Sequence, residues 1–192
     1  MNVTVTPAEL PGVLLVRPDA FEDARGFFCE SYHRDKLAAQ GVDVPFVQDN
    51  HSRSGRGVVR GLHFQAPPAG QYRLVRCTAG EVFDVAVDLR PDSPTYGRWM
   101  GVRLSAANRL QVLLPPAFAH GFAVLSDAAE VQYKCSAHHD PAAERTLAWD
   151  DPDLAIAWPV ATPVLSAKDR TTGLAFRAYR AAPLFPPTGS IG

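Results

Sequence analysis

Cysteine, net charge and long apolar runs are all scarce in this sequence. The three cysteines, Cys29, Cys77 and Cys135, are far apart and form no CxxC pair. They therefore predict neither a disulfide framework nor a zinc knuckle, and we interpret them as small core residues. Nineteen basic and twenty acidic side chains leave a net charge of −1, which excludes nucleic acid and acidic membranes as partners attracted by overall charge. Any anionic ligand must be held by local cations.

The apolar segments are short. None approaches the roughly 20 residues of a membrane-spanning helix, and residues 1–6 lack the basic start and apolar core of a secretion signal. We therefore expect a cytoplasmic protein without membrane contact. A chain of 192 residues is expected to form a single domain over 1–192, because one core of this size buries roughly 70% of the unfolded surface. The C-terminal end, rich in Ala, Arg and Pro, predicts a short helix and a loose tail.

Strand patterns dominate the chain. Within residues 82–89 one face would carry Phe83, Val85, Val87 and Leu89, and the other Val82, Asp84, Ala86 and Asp88. This alternation predicts a strand, but it leaves open whether the two carboxylates face water or a barrel interior. Before the middle of the chain, a helical pattern occurs at residues 32–40. Many short strands with turns roughly every 8 to 12 residues are typical of an all-β sandwich or barrel.

Residues 57–65 place polar side chains inside an apolar run. Arg60, His63 and Gln65 would be buried without partners unless this strand borders a polar cavity. In an ideal strand His63 and Gln65 share a face and Arg60 points away, but Gly61 permits a bulge that turns one side chain round. The spacing is equally compatible with a hydrogen-bonded inward His63 and an Arg60 in solvent.

Further motifs follow one another in a fixed order. They are DARGFFCE at 23–30, QDN at 48–50, GVVRGLHFQ at 57–65, GEVFDV at 80–85, SPTYG at 93–97, FAHGF at 118–122, YK at 133–134, DDP at 150–152 and LSAKD at 165–169. This ordered set resembles the nucleotide-sugar 3,5-epimerases of the dTDP-4-dehydrorhamnose type. The resemblance implies a cupin-like jelly-roll barrel with short flanking helices, a homodimer, and N-terminal strands that cross to a neighbouring subunit.

The resemblance also implies a reaction. It is the inversion of C3 and C5 of dTDP-4-dehydro-6-deoxy-D-glucose through enolates, which gives dTDP-4-dehydro-L-rhamnose in deoxysugar biosynthesis. The ketone acidifies the C–H bonds on both sides, so the enzyme needs a base, an acid on the opposite face and cations near the enolate. By resemblance His63 is the base, Asp169 fixes its tautomer, and Tyr133 is the acid. Neither a cofactor nor a metal is implied.

Other positions matched by the resemblance bind the substrate. His120 and Arg73 are candidates for the enolate oxygen, and Arg60 and Arg25 for the diphosphate, whose oxygens fit a guanidinium fork. Arg25 and Glu30 would serve the pocket of the neighbouring subunit. The remaining binding positions are Gln48, Asp49, Asn50, Glu144 and Lys168.

Three positions depart from the family pattern and keep alternatives open. Arg73 stands where lysine is usual, and histidines stand at 138–139 where tyrosines are usual. An epimerase acting at C3 alone, in a secondary-metabolite sugar pathway, is therefore an alternative. A non-catalytic sugar-nucleotide binding cupin is a lesser one, since binding alone needs no acid and base. A metal-dependent cupin would need two histidines one residue apart and a glutamate, whereas residues 63–65 read His-Phe-Gln.

Overall fold

Two antiparallel sheets and a separate hairpin make up the computed structural model, which describes residues 1–187. The strands are β1 (Val3–Pro7), β2 (Leu14–Pro18), β3 (Ala20–Asp23), β4 (Gly26–Cys29), β5 (Gln48–Gly55), β6 (Val59–Gln65), β7 (Arg73–Ala79), β8 (Glu81–Asp88), β9 (Trp99–Ser105), β10 (Gln111–Leu114), β11 (Phe118–Val124), β12 (Ala128–Cys135) and β13 (Glu144–Thr146). The helices within this part of the chain are α1 (Arg34–Ala38), α2 (Ala167–Thr171) and α3 (Phe176–Ala181). None of these helices is long and apolar enough to cross a membrane.

The order of the strands identifies the architecture. One sheet has the order β1-β2-β10-β7-β12-β5 and the other β13-β6-β11-β8-β9. From β5 to β13, successive strands therefore alternate between the two sheets, except for the hairpin β8–β9, as in a jelly roll. The predicted all-β jelly-roll class with short flanking helices is confirmed.

Strand β8 shows how alternating residues divide the interior from the outside. Val82 and Ala86 belong to the apolar core between the sheets, and Asp84 lies on the same face. Val85 and Val87 instead pack outside the five-stranded sheet against α3. The open question about Asp84 is thereby answered: its side chain is 1% exposed and faces the barrel interior.

The helical segments differ in part from the sequence prediction. The helix expected over 32–40 is limited to α1, because Gly41 adopts a φ of 86° and the Val42 N–H turns back to the Leu37 carbonyl at 2.9 Å. The predicted C-terminal helix is present as α3, whereas the last five residues of the predicted loose tail, 188–192, lie outside the described residues. Helix α2 was not expected from the sequence.

The hairpin β3–β4 pairs with neither of the two large sheets. Its aromatic side chains are exposed: Phe21 by 65%, Phe27 by 58% and Phe28 by 67%. Arg109 tethers this hairpin through an ion pair with Glu22 at 2.7 Å and by lying over the Phe27 ring at 5.0 Å. An exposed aromatic ribbon of this kind indicates an interaction surface.

Candidate active site

A bulge in β6 brings two polar side chains to the same side of the strand. In the pairing of β11 with β6, His120 lies opposite His63 and Phe122 opposite Arg60. Two steps along β11 therefore match three along β6, and the extra residue reverses the alternation. It falls at Gly61, where φ is 133° and an added Cβ would lie 2.6 Å from the Gly121 Cα. Only glycine fits this position.

A cavity of about 420 Å³ opens between the sheets beside this bulge. Eight of the residues predicted for the site line it, namely Gln48, Asn50, Arg60, His63, Arg73, His120, Tyr133 and Glu144. Gln65 is buried at 3% exposure and is not among the lining residues. A second cavity, of about 440 Å³ and lined partly by Asp49 and Lys134, includes residues of the outer face of the six-stranded sheet. We place the candidate site in the first cavity, because His63 lines it.

His63 is held by a buried carboxylate. Its Nε2 lies 2.5 Å from Asp169 Oδ1, and Asp169 is 4% exposed. Burial acts to raise the pKa of Asp169, but the hydrogen bond from His63, with further bonds from Ser166 and the Gly61 backbone, outweighs it and lowers the pKa below its usual value. Asp169 is therefore a carboxylate at neutral pH. It fixes the imidazole and leaves Nδ1 as the nitrogen available to a ligand.

Helix α2 explains why Asp169 reaches His63. Ser166 caps this helix, and its Oγ accepts a hydrogen bond from the Asp169 N–H at 3.0 Å. The Ser-x-x-Asp pattern at 166–169 is a signature of a helix N-terminus. That signal could have predicted both α2 and the role of Ser166, which the sequence analysis missed.

Tyr133 faces the cavity from the other sheet. It lies on β12, opposite Asn50 of β5 and Val75 of β7, whereas His63 lies on β6 of the five-stranded sheet. Burial raises the pKa of Tyr133, and the charge of Arg73 only partly opposes this. The phenol is therefore protonated at neutral pH. A ligand between the sheets would have an imidazole on one side and a phenolic O–H on the other.

The cavity contains two guanidinium groups without carboxylate partners. Arg73 Nε donates to Gln71 Oε1 at 3.2 Å, and Arg73 Nη1 donates to the His63 carbonyl at 3.0 Å. Burial lowers the pKa of Arg73, but a guanidinium titrates so high that it stays charged. Arg60 Nε donates to Ser54 Oγ at 2.9 Å. Within residues 1–187 neither arginine forms an ion pair, and this surplus positive charge favours an anionic ligand.

A second imidazole–carboxylate pair lies beside the first. His120 Nε2 donates to Asp84 Oδ2 at 2.8 Å, and both side chains are buried. His120 lines the cavity next to His63. Both histidines thus use Nε2 for a carboxylate. In the described part of the chain, no three His, Cys, Asp or Glu side chains converge as a metal site would require.

Four predicted residues lie away from this cavity. Arg25 is 90% exposed on the hairpin and binds Asp23 at 2.6 Å, and Glu30 binds Lys36 at 2.6 Å. Asp49 points to the opposite face from its neighbours on β5 and binds Lys134 at 3.0 Å. Lys168 reaches the edge of the cavity only through its ion pair with Glu144. The structure adds six lining residues that were not predicted as site residues: His51, Ser52, Gln71, Gly121, Phe122 and His139.

Comparison with known sequences identifies one family. A family profile described as dTDP-4-dehydrorhamnose 3,5-epimerase matches residues 7–175. A dTDP-4-dehydrorhamnose 3,5-epimerase of Shigella flexneri is 53% identical over 170 residues, which cover 88% of this chain and 93% of that protein. A dTDP-4-dehydrorhamnose 3-epimerase of Streptomyces niveus is 45% identical over 181 residues, which cover 94% of this chain and 87% of that protein.

Solved structures share the fold. NovW, a 4-keto-6-deoxy sugar epimerase from the novobiocin cluster of Streptomyces spheroides, superposes with a TM-score of 0.92 at 43% identity, covering 98% of this chain and 95% of that one. A dTDP-6-deoxy-D-glucose-3,5-epimerase of Legionella pneumophila in complex with dTDP-4-keto-L-rhamnose superposes with a TM-score of 0.91 at 41% identity, covering 97% of this chain and 98% of that one. The predicted cupin-like fold is confirmed.

Proposed function

Because the chain belongs to the dTDP-4-dehydrorhamnose 3,5-epimerase family, we propose that its cavity is the active site of such an isomerase. The substrate is dTDP-4-dehydro-6-deoxy-D-glucose, and the product with both centres inverted is dTDP-4-dehydro-L-rhamnose. The observation that carries the proposal is that His63 on one sheet, bonded to Asp169 of α2, faces Tyr133 on the other sheet across a single cavity. An acid and a base on opposite faces are what inversion requires.

One base is sufficient for both carbons. In a D-gluco pyranose ring the axial hydrogens at C3 and C5 lie on the same face, so His63 Nδ1 can remove each in turn. The electron pair of the broken C–H bond moves into the C–C bond to C4, and the ketone oxygen becomes an enolate. Tyr133 then donates its proton to the opposite face of the same carbon. His63 and Tyr133 return to their starting states by proton exchange with solvent, and the cycle repeats at the second carbon.

The cations of the cavity stabilise the charged groups of this reaction. Arg73 lies close to the base and donates to the enolate oxygen, and His120 can donate there from Nδ1 when its imidazole is doubly protonated, because its Nε2 hydrogen is given to Asp84. One such donor contributes about 2.7 to 4 kcal/mol in the transition state. Arg60 binds the diphosphate, since its guanidinium has no carboxylate to satisfy among the described residues. Gln48, Asn50 and Glu144 complete the wall. Asp49 and Lys168 support binding indirectly, each through one ion pair.

A C3-only epimerase is the second candidate. It is favoured by the likeness to the Streptomyces niveus 3-epimerase, by arginine at position 73 and by His139 in the cavity wall. The two candidates share the same base and acid. They differ only in whether the ring turns so that C5 also reaches His63.

Deuterium exchange separates the candidates. The protein is incubated with dTDP-4-dehydro-6-deoxy-D-glucose in deuterated water, and C3 and C5 are followed by NMR. Deuterium at both carbons, with two inverted centres in the product, is the expected result. Deuterium at C3 alone would establish the second candidate. A folded protein that binds dTDP but exchanges neither carbon would contradict both and indicate a binding module.

We further propose a homodimer in which the hairpin β3–β4 docks on a second copy of the chain. The three exposed phenylalanines of this hairpin support the proposal, since clustered aromatic side chains exposed on a surface often mark a protein–protein contact. Docking would bring Arg25 and Glu30 towards the cavity of the partner. Sedimentation of the protein as a monomer at about 10 μM, far above the dissociation constant of a stable dimer, would contradict it.

A cytoplasmic location is also part of the proposal. The three cysteines are free in the described structure, as is usual in reducing compartments. Recovery of the protein outside the cytosolic fraction of its own cells would contradict this location.

A further inference from the structure

Gln71 is a buried cavity residue that no catalytic step above uses. It precedes β7, is 8% exposed, and has a side-chain amide bonded at both ends. Its Oε1 accepts from Arg73 Nε at 3.2 Å, and its Nε2 donates to the Ala137 carbonyl at 3.0 Å. The amide thus connects a cavity cation to the segment 137–140 that follows β12.

The bonds of Arg73 define the direction of its guanidinium. Nε is bound to Gln71 Oε1 and Nη1 to the His63 carbonyl. Because a guanidinium is planar, fixing these two nitrogens also fixes the third. Nη2 has no acceptor within residues 1–187, so it is the edge available to a ligand. The same group is tied to the strand of the base, and its charge opposes the rise in the pKa of Tyr133.

The chemical nature of the two acceptors is informative. Both are neutral oxygens, an amide and a backbone carbonyl, so they orient Arg73 without cancelling its charge. A carboxylate in place of the Gln71 amide would form an ion pair with Arg73 and reduce the field that it exerts on a developing anion. Preorganised donors of undiminished charge are the arrangement that stabilises an oxyanion.

We propose that Gln71 is a positioning residue that aims the Nη2 edge of Arg73 at the ketone oxygen on which the enolate charge develops. This inference rests on the proposed function. Gln71 acts through Arg73 and does not touch the reacting atoms. Its loss therefore affects the transition state, where the oxygen is charged, more than the bound substrate, where it is neutral.

The other explanation for Gln71 is that it merely holds the segment 137–140. Gln65 provides a control, because it also holds that segment and makes no hydrogen bond to Arg73. Gln65 Nε2 donates to the His138 carbonyl at 3.5 Å, and Gln65 Oε1 accepts from the Asp140 N–H at 2.7 Å. Gln71→Met and Gln65→Met therefore make the same change of side-chain shape, but only Gln71→Met removes a hydrogen bond to Arg73. Gln65→Met removes two bonds to the segment and one to the Ala69 carbonyl at 2.8 Å, so it loosens this region at least as much.

The experiment measures kcat and KM for epimerisation in the two methionine variants. For Gln71→Met we expect kcat to fall about 10- to 100-fold, with KM within about threefold of the wild type, because a donor to the oxyanion is misaimed. Gln65→Met should keep kcat within about threefold. In an Arg73→Met background, Gln71→Met should lower kcat by less than about a further threefold, because the effects of residues that act as one unit are not additive. Variants too slow for steady-state kinetics are incubated longer in deuterated water, and the deuterium at C3 and C5 is measured by NMR.

Three results would overturn the inference: a Gln71→Met enzyme with the kcat of the wild type, the same loss of kcat in Gln65→Met, or the full loss of kcat again in the Arg73→Met background. If Gln71→Met does not fold, as judged by circular dichroism, Gln71→Glu replaces it. That variant keeps an acceptor for Arg73 and neutralises its charge, so kcat should fall at least as far while dTDP affinity is unchanged; full activity would again refute the role. Wild-type protein without any exchange would refute the proposed function instead.

Discussion

Replacing His63 by alanine is expected to reduce deuterium exchange at C3 and C5 about 1,000-fold or more, because a general base in contact with substrate contributes about 10²- to 10⁴-fold. The His63 imidazole lines the cavity and is held by the buried carboxylate of Asp169, which its loss leaves without that partner. The affinity for dTDP should change by less than about threefold, under 1 kcal/mol, because Arg60 remains. Exchange is measured by NMR and dTDP affinity by calorimetry.

His33→Ala is the control for His63→Ala. His33 is exposed and makes no side-chain cap to α1, so this variant should exchange like the wild type. A His63→Ala protein that still exchanges rapidly would mean that another group is the base. A large loss of dTDP affinity would mean that His63 serves binding, and its assignment as the base would be wrong.

Replacing Tyr133 by phenylalanine is expected to separate inversion from exchange. The substitution removes one oxygen atom and leaves the ring in place, so the cavity keeps its shape. His63 can still remove a proton and return a solvent deuteron to the same face, which labels the carbon without inverting it. Inverted product should therefore fall about 100-fold or more, while deuterium continues to enter with retained configuration. NMR of a single sample gives both quantities.

Tyr72→Phe is the matched control for Tyr133→Phe. Tyr72 precedes Arg73, but its ring packs with the apolar cluster on the outer face of the six-stranded sheet, so its variant should keep the wild-type ratio of inversion to exchange. Equal losses of inversion and exchange in Tyr133→Phe would indicate that the phenol orients the substrate. Undiminished inversion would show that water or another group is the acid.

The sequence was sufficient for the fold class, because strand alternation and turn residues act locally. Phe83 to Asp88 illustrates both the strength and the limit of such patterns. Alternation correctly separated the two faces of β8, but it could not decide which face meets the interior. That depends on the sheet stacked above β8, and therefore on contacts with residues distant in sequence. Asp84 became recognisable as the partner of His120 only once β8 lay beside β11.

The candidate site was predictable in its composition and less so in its geometry. The resemblance supplied His63, Tyr133 and Asp169, and the structure brings all three to one cavity or its edge. It could not show that residues 48–50 face two sides of the sheet: Gln48 and Asn50 line the cavity, whereas alternation along β5 turns Asp49 away from it. It also could not supply the buried amide of Gln71, because a glutamine in a loop carries no periodic signal.

The bulge at Gly61 has a consequence for the design of related enzymes. Without the additional residue, Arg60 and His63 would point to opposite sides of the sheet, and the cation that we propose for the diphosphate would leave the cavity that His63 lines. Gly61 and Gly121 are in backbone contact there, so neither can accept a side chain without separating the strands. Attempts to adapt such a barrel to other sugars should keep Gly61 and Gly121 and vary the opposite wall. There β5 and the segment after β12 contribute side chains that can change without altering the alternation along β6.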